Sequence, residues 1–268
     1  MSTDAAAIKV RTRGIALPTE HGSWGFLFEP LVAAIAIAFS MPAVWIALAY
    51  IGAFLMRQPL KIYVADRMAG RDLPQTSVAL RFVSIFGIVY VTGVAVSLAI
   101  AELKSFIPIL FVAPFGIYQI YVDASRQSRN VLPELTGAVT ISSSVAVIAL
   151  ASGSAPETAY ALWLVFIARL IPSIMYVRNR LRLEKGKDFM FALPIALHVI
   201  AIVLVAVLAY FALVPKLPLV MFGVLLVRSA WGLSDYRKRV KAMRIGVMEA
   251  IFGALTAISV ILGYHFHV

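Results

Sequence analysis

The chain has 268 residues, 62% of them hydrophobic and only 14% charged, with a mean hydropathy of +0.92. That composition excludes a water-soluble globular protein, in which about 25% of residues are charged. A net charge of +11 would suit nucleic acid, but the cations are scattered over connections, where topogenesis and anionic lipid head groups account for them.

In chain order, apolar runs predict membrane helices over 23–40, 42–56, 79–101, 105–122, 134–152, 157–177, 189–213, 217–233 and 245–266. Most approach the roughly 20 residues that cross a hydrocarbon core. The first lacks a small-residue cleavage site and reads as a retained helix, not a signal peptide. The second is short unless it continues through Leu60 to Val64, past Arg57 and Pro59. Backbone in lipid must satisfy its own hydrogen bonds, so the spans are helices; alternating strand segments of barrel type are absent. The expectation is an all-α polytopic membrane protein: a tail over 1–22, then one nine-helix transmembrane domain over 23–268.

Basic residues sort by side. Lys9, Arg11 and Arg13 lie in the tail; Arg57, Lys61, Arg67, Arg71 and Arg81 follow the second span; Arg126 and Arg129 follow the fourth. Arg178 to Lys187 supply five more after the sixth, and Arg228 to Arg244 six after the eighth. Only Lys104 and Lys216 fall on the other connections, and Arg169 lies within a span. Short loops rich in Lys and Arg stay in the cytoplasm, so the N-terminus is expected inside and the C-terminus outside.

Within the spans, Glu29 lies roughly 9 Å along the first helix from Ser23, and Arg169 roughly 14 Å from Arg178, at helical rise. An unpaired charge there costs about 3 kcal/mol on insertion scales, so both should face the bundle interior. Two readings stay open: an ion pair of Glu29 with Arg169 that fixes helix register, or a functional cavity. His198 reads as a hydrogen-bonded interior histidine. Glu249, five residues past Arg244, is expected near the head groups. Gly93, Gly253 and similar glycines allow close helix approach, Pro30, Pro114, Pro172 and Pro194 kink their helices, and Ser142, Ser143 and Ser144 read as tolerated small polar residues.

Chemistry concentrates at the cytoplasmic ends. Glu20 and His21 could act as an acid–base pair before the first helix. Lys61, Asp66 and Arg67, then Asp123, Arg126, Arg129 and Asn130, then Tyr176 and Arg178, alternate cations with carboxylates and aromatics. Converging on a cavity mouth, they would bind a phosphate, a diphosphate or an anionic lipid head; as solvated charges, they would only enforce topology. The absence of cysteine excludes disulfides, thiolate metal sites and cysteine nucleophiles.

Pro18-Thr19-Glu20-His21-Gly22-Ser23-Trp24, the stretch Gln58-Pro59-Leu60-Lys61 through Asp66-Arg67, and Arg244-Ile245-Gly246-Val247-Met248-Glu249 resemble the YwiC-like family of bacterial membrane proteins, over most of the chain. The resemblance implies a multi-pass protein of the bacterial cytoplasmic membrane. More remotely, nine helices with inner loops after helices two, four and six resemble the UbiA-type intramembrane prenyltransferases. Those enzymes hold an isoprenoid diphosphate through Mg²⁺ on two aspartate-rich motifs, ionise it and transfer the prenyl group. Of the first motif, N-D-x-x-D-R with a following L-P, Asp66, Arg67, Leu73 and Pro74 match, while Ile62 and Tyr63 replace the Asn and first Asp. In the second, Tyr176 matches an aromatic, but Arg178, Arg180 and Arg182 stand where carboxylates belong. Mg²⁺ needs oxygen ligands, which leaves Asp66 as the single candidate, or an arginine clamp acting on the phosphate directly.

The resulting expectation is a UbiA-like helical bundle whose cytoplasm-facing cavity binds an isoprenoid or other long-chain lipid with an anionic head. Lys61, Arg67, Arg126, Arg129 and Arg178 would hold the head, Asp66 and Asp123 would orient those bases, and Glu20 with His21 would cover the mouth or shuttle a proton. If catalytic, the reaction is prenyl or related alkyl transfer. The alternatives are a non-catalytic subunit or assembly factor bound to a protein partner in a membrane complex, or a small-solute transporter.

Overall fold

The computed structural model describes residues 12–18, 21–124 and 130–268, excluding the side chains of 21–23 and 124. Among these residues every regular element is helical. A short α1 (Thr12–Ala16) precedes α2 (His21–Ile37), α3 (Met41–Met68) and α4 (Pro74–Ile100). A 3₁₀ turn (Leu103–Phe106) leads into α5 (Ile107–Ala124), followed by α6 (Val131–Ser142), α7 (Ser144–Ala151) and α8 (Pro156–Glu184). The chain continues through α9 (Ala192–Tyr210), α10 (Pro218–Leu233) and α11 (Ala242–Phe266).

Seven stretches are long and apolar enough to cross a bilayer: α3, α4, Leu103–Asp123, Val131–Ala151, α8, α9 and α11. Two further apolar helices, Trp24–Ile37 and Pro218–Leu233, are shorter. The second expected span is one uninterrupted helix of 28 residues that passes Pro59 and carries Arg57, Lys61, Asp66 and Arg67 on its last turns. Arg81 lies on α4, Arg228 on α10, and Arg178, Arg180 and Arg182 on α8, so cations assigned to connections belong to helices. The physical reason is snorkelling: a long basic side chain keeps its apolar stem on the helix surface while the head reaches water.

α8 is the axis of the bundle. Its apolar window is 72% buried, against 11% for α4, whose Ile85, Ile88 and Val91 face outward as lipid-facing residues do. Around α8 the core gathers Leu27 and Leu31 of α2, Ile46 and Phe54 of α3, Val145 and Ile148 of α7, and Phe166 of α8 itself.

The expected span over 134–152 is broken into α6 and α7 at Ser143. All three serines are fully buried and two have partners. Ser142 Oγ accepts from Trp163 Nε1 at 3.0 Å and donates to the Val139 carbonyl. Ser143 Oγ donates to the Thr140 carbonyl and meets the Tyr50 hydroxyl at 2.7 Å. Such side-chain bonds to the preceding turn are a known source of helix bending.

α3 and α4 pack backbone against backbone, because glycine removes the side chain on both sides of the crossing. A Cβ added to Gly52 would lie 2.7 Å from the Tyr90 amide nitrogen, and one added to Gly93 would lie 2.7 Å from that of Ala49. Backbones this close gain dispersion that lipid cannot supply. Gly93→Ala is therefore expected to destabilise the bundle by about 1–3 kcal/mol through overpacking. Gly87→Ala on the same helix meets only the Met56 sulfur, at 3.7 Å, and should be neutral. Thermal unfolding of the two variants in one detergent checks the contrast.

Candidate functional site

Glu29 on α2 and Arg169 on α8 do meet: Arg169 Nε lies 2.9 Å from Glu29 Oε2, with the guanidinium fully buried. The pair is half of a larger network. Arg169 Nη1 reaches Glu249 Oε1 of α11 at 3.0 Å, and its Nη2 donates to the Glu249 carbonyl at 3.1 Å. The other carboxylate oxygen of Glu249 pairs with Arg228 of α10. Arg228 in turn sits over the Tyr176 ring at 4.2 Å and the Phe252 ring at 5.1 Å. Two acids and two bases from four helices thus cancel in charge, the condition for keeping them in a medium that solvates none of them.

Glu29 fits because α11 offers glycine where it arrives. A Cβ on Gly253 would fall on the Glu29 carboxylate. Glu249, expected near the head groups, is 4% exposed inside this network. Arg228 was missed as a buried group although it stands nine residues before Arg237, the same spacing that marked Arg169. His198 is buried on α9, and its Nδ1 donates to the Pro194 carbonyl at 2.7 Å.

A separate slot of about 530 Å³ lies between α3, α4, α5 and α6. Its lining follows α3 from Ala49 to Val64, about 22 Å at helical rise. Spread over that length, the volume gives a cross-section of roughly 24 Å², enough for one extended hydrocarbon chain. Tyr90, Ile109 and Ile120 form an exposed rim, so the slot opens sideways between α4 and α5. Its polar end is Arg57, Lys61 and Asp123. Arg57 grips the buried Asp123 with two bonds, Nε to Oδ2 at 2.7 Å and Nη2 to Oδ1 at 3.0 Å. Lys61 Nζ lies 4.0 Å from the same carboxylate. Asp123 thus fixes one base and faces a second, which gathers two cations and a carboxylate at the end of an apolar channel.

The other sequence-derived candidates are placed apart. Asp66 is buried and accepts from Gln75 Nε2 at 3.0 Å and Thr76 Oγ1 at 2.9 Å, joining the end of α3 to the start of α4. Arg67 is exposed, its guanidinium 5.5 Å from the Tyr63 ring. Arg178 pairs with Glu134 of α6 at 2.7 Å, and Asn130 is exposed at the N-cap of α6. Tyr176 lines a different cavity, between α8, α10 and α11. Glu20, Arg126 and Arg129 lie outside the described residues, as does the His21 side chain at the start of α2. Lys61 and Asp123 are therefore the described candidates that share the slot, with Arg57 added to them.

Mg²⁺ does not fit this donor set. Among the described residues no three Asp, Glu or His side chains gather as metal ligands, and Asp66 is taken up by two neutral donors. No step through a magnesium ion follows from these residues.

Seven long apolar helices, tied in part by charges that water does not reach, define a multi-pass helical membrane protein. Residues 17–149, just under half of the chain, match the family model described as YwiC-like protein. No curated protein and no solved structure matches it. The matched segment contains the whole slot, from Ala49 to Ile141, whereas the stretch 244–249 lies beyond it.

Two outcomes separate the network from the α3–α4 joint. Arg169→Ala leaves two buried carboxylates short of a partner and should cost about 3–5 kcal/mol, read as loss of folded protein in membranes. Asp66→Ala frees the Gln75 and Thr76 donors and should cost about 1–3 kcal/mol in detergent unfolding.

Proposed function

We propose that this protein binds a long-chain amphiphile, an isoprenoid or similar lipid with an anionic phosphate or diphosphate head, in the α3–α6 slot. The observation that carries the reading is the Arg57–Lys61–Asp123 cluster at one end of a channel one chain wide. The apolar tail enters through the gap between α4 and α5 and lies along α3. The head meets Lys61 and Arg57, with Asp123 holding the latter's guanidinium in the plane that a phosphate accepts. Binding without bond cleavage is favoured over prenyl transfer, because ionising a diphosphate needs stronger neutralisation of the leaving charge than this cluster provides.

In the same reading all nine apolar helices span the membrane in a UbiA-like arrangement. α2 and α10, at 17 and 16 residues, are about 24–26 Å long against a core of about 30 Å, a mismatch met by local thinning and flanking aromatics. The basic helix ends, and with them the polar end of the slot, face the cytoplasm of a bacterium.

Lipid extraction with native mass spectrometry tests the slot. A co-purifying anionic amphiphile should fall about tenfold in Lys61→Ala, the loss of one charge-assisted contact. Retention of the same lipid by both Lys61→Ala and Arg57→Ala rejects the reading. The chain has no natural cysteine, so orientation is read from single introduced ones. In intact cells, an impermeant maleimide should label Glu102→Cys and spare Asp235→Cys.

A further inference from the structure

A second cavity, of about 830 Å³, lies in the other half of the chain, between α8, α10 and α11. It takes no part in the proposed slot and lies wholly outside the family-matched residues. Its apolar wall runs along α10 from Val220 to Trp231, about 16 Å at helical rise, which is close to half of a hydrocarbon core of about 30 Å. Val220, Val227 and Met248 on its rim are exposed, so the cavity opens towards the lipid. Its depth is that of one leaflet.

At the end of the wall, the Trp231 and Tyr236 rings lie with centroids 6.3 Å apart and planes tilted by 38°, and both are largely exposed. Such pairs sit at head-group level. Beside them the mouth is basic. Arg180 donates to the Gly232 and Lys238 carbonyls and pairs with Glu184 at 2.8 Å, which holds the 234–241 connection against α8. Lys238 and Arg244, both lining the cavity and both exposed, have no ion pair among the described residues. Deeper in, Arg228 is already neutralised by Glu249, so the unbalanced charge is confined to the mouth.

We infer that this cavity is a site for an anionic phospholipid of the surrounding bilayer. Its acyl chains lie in the trough between α10 and α11, and its phosphate lies between Lys238 and Arg244. Basic pockets between membrane helices recognise anionic lipids by this combination of one-leaflet depth and head-group cations. A zwitterionic lipid would fill the trough equally, but the cation of its head group offsets most of what its phosphate gains at the mouth.

The test is native mass spectrometry of the purified protein titrated with phosphatidylglycerol or with phosphatidylcholine of the same chains. The natural protein should take up phosphatidylglycerol preferentially. The double variant Lys238→Ala/Arg244→Ala, altered only at exposed side chains, should bind it about thirtyfold more weakly, with phosphatidylcholine binding changed far less. Arg57→Ala/Lys61→Ala, which changes the slot, should leave that preference intact. Equal uptake of the two lipids by the natural protein, or undiminished phosphatidylglycerol binding in the Lys238/Arg244 variant, overturns the site. Displacement of the lipid by millimolar inorganic phosphate would assign the mouth to a free ion and overturn it as well.

Discussion

A guanidinium in hydrocarbon must bring its own counter-charge, and in this bundle Arg169 does so from two directions at once. Glu29 reaches it from α2 and Glu249 from α11, while Arg228 balances the remaining carboxylate from α10. Apolar side chains give these helices little reason to choose one another over lipid, since acyl chains are as greasy as leucine. The charges supply the choice. A helix rotated by one position would leave an acid or a base facing the bilayer, at a cost of several kcal/mol that the neighbouring arrangement avoids.

The other half of the bundle is held by different means. α3 and α4 are joined by backbone contact at Gly52 and Gly93, and by the Asp66 carboxylate bridging to Gln75 and Thr76 at the turn. The Ser142–Ser144 region lets α6 and α7 change direction without leaving two of its three hydroxyls unpaired. Where close packing of this kind stops, space opens. The slot is lined by α3, α4, α5 and α6, and the second cavity by α8, α10 and α11, with Arg228 of α10 tied to Glu249 of α11 beside it. Both cavities are polar at one end and apolar along their length.

Much of this was legible in the sequence, at the level where hydrophobicity decides. Apolar runs located the helices, because the bilayer imposes length and polarity directly. The Glu29–Arg169 pair was readable from depth alone. The ends of helices were not, since Arg57, Lys61 and Arg178 look like loop residues in composition yet continue α3 and α8. Asp66 shows the limit for the site. Its place in a resembling motif suggested a ligand, whereas its position against the first turn of α4 gives it two side-chain donors of its own. Arg57 was set aside as a topology charge, and only the approach of α5 turns it towards Asp123. Which acid faces which base depends on helix rotation, and that information is spread over every contact in the bundle.

The contact between Glu29 and Arg169 spans 140 residues of chain. During synthesis at about 5–20 residues per second, Glu29 is made some 7–28 s before its basic partner exists. For that interval the acid on α2 must be protonated, shielded by the insertion machinery, or kept at the membrane surface. The ion pair that joins α2 to α8 therefore closes only after α8 is made, although α2 is made early. The network of α2, α8, α10 and α11 can be completed only once Glu249, on the last helix of the chain, has been made.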